Sequence, residues 1–160
     1  MALLESFGME RVVDIRAFAR SRHNPQFDDT ALANSLRSKH LDYVHMQALG
    51  GMRRARQDSA NTGWRNAHFR GYADYMQGEA FHEALHSLIH MSRGQRTAIM
   101  CAEAVPWRCH RSLVADALIV HGIPAIEIIS ASNYRLHQLT PFAQVQGHLI
   151  TYPPRQATLL

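Results

Sequence analysis

Residues 101–111, CAEAVPWRCHR, hold both cysteines of the chain, Cys101 and Cys109. With them stand a carboxylate (Glu103), an imidazole (His110) and two guanidinium groups (Arg108 and Arg111). These residue types support three kinds of chemistry. A thiolate beside an imidazole or a helix N-terminus is a nucleophile. Cysteine together with histidine is a set of soft metal donors. Arginine at a helix start receives an anion. The phosphate-cradling C-x5-R loop of cysteine phosphatases is not matched: the sixth residue after Cys101 is Trp107, and Arg108 comes one later. Cys101 and Cys109 also exceed the C-x2–4-C spacing usual in structural zinc sites. Against the reactive readings stand a small buried Cys101 and a His110 that only pins the core.

A second motif is formally sharper. HEALH, His82 to His86, is H-E-x-x-H, and His90 extends it by a turn. On a helical wheel Phe81, Leu85 and Leu88 form the buried stripe, while the three histidines run off its side. A zinc protease needs that helix in the floor of a cleft with a third ligand, so the expectation here is a solvated face without functional zinc. The stretch TGWRNAHFRGYADYM interleaves Trp64, Phe69, Tyr72 and Tyr75 with Arg65 and Arg70. Such aromatics either stack on nucleic-acid bases or anchor a loop to the core.

The elements that must position these groups are read from periodicity. Four apolar runs predict strands at 11–18, 41–49, 97–102 and 125–130, the third apolar on both faces as in a covered parallel strand. Helical patterns lie between them: DDTALANSLRSKH, with Leu32 and Leu36 one turn apart, GEAFHEALHSLIHMSRG, and RSLVADALIVHG, which closes on Gly122. Strand alternating with helix predicts a single α/β domain, three-layered and Rossmann-like, with a mostly parallel sheet flanked by helices. An irregular loop is expected at about 50–71, a short helix after Thr140-Pro141, and an irregular tail from about 147. Ligands of open parallel sheets bind beyond the carboxyl ends of the strands. Asp14 with Arg16, Gly50-Gly51, and Cys101 with Glu103 all fall there. On the following helix His110 faces inward and Arg111 outward.

Composition restricts the setting. The chain has 160 residues, no long apolar run and no basic leader, which predicts a soluble cytoplasmic domain without a membrane span. Two cysteines argue for a reducing compartment. Net charge is +4, and Lys39 is the single lysine among 17 basic residues. Arg16, Arg20 and Arg22, then Arg53, Arg54, Arg56, Arg65 and Arg70, then Arg108 and Arg111 sit in three predicted loops, a distribution suited to an anionic ligand.

VVDIRAFARSRHNPQF, LGGMR, WRNAHFRGYADYM, CAEAVPWRCHRSLVADAL and HQLTPFA together make the chain resemble the domain of unknown function 488 family. The resemblance spans nearly the whole sequence. It implies an α/β protein of the prokaryotic cytoplasm and assigns no reaction. By similarity, the characteristic positions are Asp14, Arg16, Ser21, Arg22, Pro25, Gly50, Gly51, Cys101, Glu103, Cys109, His110 and Arg111. The histidines of HEALH are outside that pattern. Members begin with a strand resembling T-I-G-H-S ahead of the first helix, whereas this sequence opens at MALLES. The expectation is a sheet edge covered by the tail, through Ile150 and Tyr152, or by a second copy of the chain.

The leading expectation is therefore an enzyme, or enzyme-like binder, of a phosphorylated or nucleotide-type anion. Cys101, Glu103, His110 and Asp14 are its candidate catalytic groups, and Arg16, Ser21, Arg22, Gly50, Gly51 and Arg111 its binding groups. The alternatives are a nucleic-acid-binding module without catalysis, and a transition-metal site at Cys101, Cys109 and His110. No cofactor follows from the sequence.

Overall fold

A computed structural model describes residues 1–105 and 108–154. Its centre is a three-stranded parallel sheet in the order β2-β1-β3, with β1 at Arg11–Asp14, β2 at Asp42–His45 and β3 at Thr97–Met100. The register pairs Asp14 with His45 on one side and with Met100 on the other, so the three carboxyl ends are level. Among the described residues five α-helices accompany it: α1 (Ala2–Ser6), α2 (Asp29–Arg37), α3 (Ala67–Tyr75), α4 (Glu79–Gly94) and α5 (Arg111–Val120).

Alternation along β1 explains the layers. Successive side chains point to opposite faces. Val12 packs with Leu32 and Leu36 of α2. Val13 and Ile15 pack in the larger core with Phe69 and Tyr72 of α3, Phe81, Leu85 and Leu88 of α4, and Leu113 and Val114 of α5. Helix α4 buries the stripe expected of it and leaves His86 and His90 exposed. Gly122 ends α5 at φ +75°, and the Ile123 amide returns to the Leu118 carbonyl, the bond pattern of a glycine-terminated helix.

Three expectations are corrected. The covered strand is β1, not β3, which is an edge strand whose four residues are each only partly buried. The fourth run does not join the parallel sheet: β4 (Ile126–Ile128) pairs antiparallel with β5 (Tyr134–Leu136), so the sheet is smaller than the Rossmann-like arrangement expected. The region after Thr140 is a turn, with the Ala143 amide on the Thr140 carbonyl, followed by a hairpin of β6 (Gln144–Gln146) and β7 (Leu149–Thr151). Strand β7 thus falls where an irregular tail was expected. Its Ile150 and the following Tyr152 are buried in the main core. The expected loop at 50–71 is irregular only as far as α3. No helix among the described residues is long and apolar enough to cross a membrane.

Candidate functional site

The level strand ends create the site. One residue past each end lie Ile15, Met46 and Cys101, and alternation puts Cys101 on the face shared with Ile15 and the large core. The chain then loops back towards α5, and the two residues just ahead of that helix, Cys109 and the N-cap His110, lie against Cys101. His110 Nδ1 lies 3.6 Å from Cys109 Sγ and 4.0 Å from Cys101 Sγ. The other ring nitrogen, Nε2, is 3.2 Å from the Ile15 carbonyl oxygen. A carbonyl only accepts, so Nε2 carries the hydrogen. In the neutral ring Nδ1 then presents its lone pair to the sulfurs; in the imidazolium it donates to a thiolate.

The ring is held from several directions. Tyr72 lies 4.9 Å away between ring centroids, and its hydroxyl donates to the Leu49 carbonyl. Gly51 lies against the imidazole so closely that a side-chain carbon there would sit 2.3 Å from Nδ1. Gly50 is equally constrained by the backbone of Ala17, which a Cβ would approach to 2.8 Å. The two glycines therefore let the loops after β1 and β2 close around His110.

The thiols are unequal. Cys101 is partly exposed and Cys109 is 3% exposed. Hydrogen bonding from the Cys109 thiol lowers the Cys101 pKa to about 4, against the opposing effect of burial and with help from His110 and the Glu103 amide. Cys109, the proton donor of the pair, is pushed up by that same bond and by burial. Arg111 supports the pair from outside: its backbone N–H and Nε donate to Cys109 Sγ at 3.5 and 3.3 Å, and Nη2 donates to the Glu103 carbonyl.

Beside the cluster opens a cavity of about 490 Å³. Cys101, Cys109, His110 and Gly51 form one wall, Arg16, Glu103 and Arg108 supply charge, and Phe18, Met52, Asn66, His68 and Phe69 complete it. The sequence did not single out Phe18, Met52, Asn66 or His68 as site residues. Met52 directly follows the marked Gly51 and Phe18 lies two residues beyond the marked Arg16, and that proximity was the available signal.

The remaining candidates lie elsewhere. Asp14 is fully buried behind the cavity, on the α2 face. Its carboxylate accepts from Arg16 Nε at 2.9 Å, Arg16 Nη2 at 2.5 Å, the Arg16 amide and the Tyr43 hydroxyl. These bonds, working against burial, lower its pKa, and the carboxylate in turn raises that of Arg16. Asp14 thus aims Arg16, which is itself only 6% exposed. Ser21 belongs to a turn, its amide on Asp28 and its hydroxyl accepting from the Asn24 amide, with Arg22 exposed beside it. Neither lines the cavity. The interleaved aromatics turn inward: Trp64 packs on Phe69, Phe142 and Tyr152, and Arg53 lies over the Tyr75 ring.

Among the described residues, one group gathers three metal-donor atoms, those of Cys101, Cys109 and His110, all within 4.8 Å of one another. The histidines of the HEALH helix do not enter it. No curated protein and no solved structure matches the chain. The family model described as Domain of unknown function DUF488 matches residues 1–118, nearly three quarters of the sequence and including the whole Cys101–His110 cluster, and the chain belongs to that family.

Proposed function

We propose that the cavity at the strand ends binds an anionic ligand of the phosphorylated or nucleotide type, and that the wall of Cys101 and His110 acts on it. The observation that carries this reading is the combination on one cavity surface of a low-pKa thiol, an oriented imidazole and two arginines, Arg16 and Arg108. Arg16 is neutralised in part by Asp14, so Arg108 at the rim supplies most of the attraction for an incoming anion. The rim also exposes apolar surface, with Phe18 68% and Met52 71% accessible. A flat ring seated between them, with its phosphate toward Arg108, uses both kinds of surface. This favours an aryl or nucleoside phosphate over a bare oxyanion.

Calorimetric titration with inorganic phosphate and with nucleoside monophosphates tests the proposal. The nucleotide is expected to bind more tightly than phosphate. Arg108→Ala should weaken both by about tenfold or more, the loss of one charged hydrogen bond. Phe18→Ala should weaken the nucleotide alone. Absence of binding at millimolar concentrations, or equal affinity in the Arg108→Ala variant, would refute the reading.

A further inference from the structure

We propose that Cys101, Cys109 and His110 are three ligands of a thiophilic transition-metal site, of the zinc(II) class, with the fourth position open to the cavity. The inference goes beyond the proposed anion binding and stands on the donor geometry alone. Zinc bonds of about 2.3 Å to sulfur and about 2.0 Å to nitrogen, at tetrahedral angles, place donor atoms roughly 3.5–3.8 Å apart. The separations from Nδ1 to the two sulfurs, 3.6 and 4.0 Å, need only a few tenths of an ångström of adjustment, and all three donors already lie within 4.8 Å of one another.

Three further features distinguish this arrangement from two cysteines that merely pack together. The imidazole is in the ligand tautomer: Nε2–H is committed to the Ile15 carbonyl and Nδ1 faces the sulfurs. Metal-bound histidines characteristically have this second partner, which fixes ring orientation. The ring is also immobilised between Tyr72 and the bare backbone of Gly51, so the donor is oriented before any ion arrives. Finally, Cys109 Sγ already accepts two N–H groups from Arg111, the partnership that stabilises a metal-bound thiolate. Two thiolates and a neutral imidazole suit a borderline-soft cation. The three donors also line the cavity, so a bound ion would meet whatever enters it. With the ion in place Cys101 serves as ligand, and the electrophile on this wall is the metal.

The test uses untagged full-length protein, reduced and stripped with a chelator, then titrated with zinc(II) against a chromophoric competitor and separately with cobalt(II). One equivalent should bind, and cobalt should show thiolate charge-transfer absorption with the ligand-field bands of a tetrahedral site. Cys101→Ala should weaken the charge-transfer signal, to which Cys109 still contributes, and lower zinc affinity by more than the roughly 10- to 100-fold lost with an outer-shell partner. That position is partly exposed; circular dichroism of the apo variant confirms folding, and Arg111→Gln, which removes only an outer donor, should show the smaller loss. The double variant His82→Ala/His86→Ala should bind as wild type. Sub-stoichiometric uptake, a cobalt spectrum without sulfur, or uptake that persists in Cys101→Ala and vanishes in the histidine double variant would overturn the proposal. Arg108→Ala should leave metal uptake unchanged, so failure of the anion reading and failure of the metal reading are separate results.

Discussion

Gly51 and His110 are in such close contact that no other residue fits at position 51. A Cβ there would lie 2.3 Å from Nδ1, 2.7 Å from Cγ and 2.8 Å from Cε1, pressed onto the ring. Gly51 does not adopt a positive φ, so the need for glycine is one of space and not of backbone conformation. Relief would require the imidazole to leave the Ile15 carbonyl and both sulfurs. Gly51→Ala is therefore expected to cost about 1–3 kcal/mol, the range for forced overpacking, and to disorganise the site at the same time. Thermal unfolding reads the first effect and cobalt absorption the second. A variant with wild-type stability and an unaltered cobalt spectrum would show that the loop simply shifts away.

His137 joins the carboxyl-terminal segment to the core through charge. Its Nε2 lies 2.8 Å from Asp116 on α5 and its Nδ1 2.8 Å from Glu127 on β4. Asp116 is fully buried and also accepts from the Tyr152 hydroxyl and the Thr140 amide. Both ring nitrogens facing carboxylates means that the ring is held as imidazolium. Burial opposes this, but the two carboxylates prevail and raise the His137 pKa. A raised folded-state pKa contributes stability that is complete below the unfolded value near 6.5 and is lost as pH rises through the folded value. Glu127 behaves oppositely: His137 and Arg135 lower its pKa against burial, so its contribution is lost as pH falls below the ordinary carboxylate range. Stability measured by urea unfolding should therefore decline on the alkaline side. His137→Ala should cost about 3 kcal/mol by leaving Asp116 without its charged partner, and should remove that decline. The same alkaline slope in the variant would assign it to another group.

His40 closes α2 with φ +59°, the left-handed conformation, and the Leu41 amide bonds back to the Leu36 carbonyl. Glycine is the usual residue at such a position. A residue with a Cβ is disfavoured there by about 1–2 kcal/mol, partly offset by the greater freedom of glycine in the unfolded chain. His40→Gly should raise stability by about 0.5–1 kcal/mol, seen as an upward shift in melting temperature. A downward shift would mean that the exposed imidazole makes a compensating contact.

The sequence made the parallel strands, the helices and the convergence at 101–111 legible, because each rests on a local pattern. Alternation in VVDIR and the 3.6-residue stripe of α4 both follow from burial. The wheel correctly turned His110 inward. What it could not supply was competition between partners. The run AIEII of β4 and its flanks is mostly apolar, yet Ile126 is 54% exposed, because YRL a few residues later closes an antiparallel pair over a short loop. That local pairing is entropically cheaper than joining a parallel sheet. Gly147, at φ +60° first in the two-residue turn of β6–β7, is the residue type that such a hairpin turn demands between alternating residues. At the site, strand-end logic located Asp14 and Arg16 but not their consumption by each other. Spacing of two residues states which face a pair shares and says nothing of whether the two side chains close on themselves.

The unequal exposure of the two thiols gives the last expectation. Cys101 reaches the cavity, whereas Cys109 is 3% exposed and carries the two Arg111 donors. In chelator-treated, reduced protein a small alkylating reagent should therefore add once, at Cys101, before the fold opens. Peptide mass mapping distinguishes the two sites, since proteolysis after Arg108 separates them. Stoichiometric zinc added beforehand should suppress labelling at Cys101 without altering the pattern at low denaturant. Phosphate at the same concentration should not protect, because an anion held by Arg108 makes no bond to the sulfur. First addition at Cys109, or rapid double addition in native buffer, would mean that the α5 corner opens readily in solution. The Cys101–His110 wall would then not be the preorganised surface from which both the anion and the metal readings are argued.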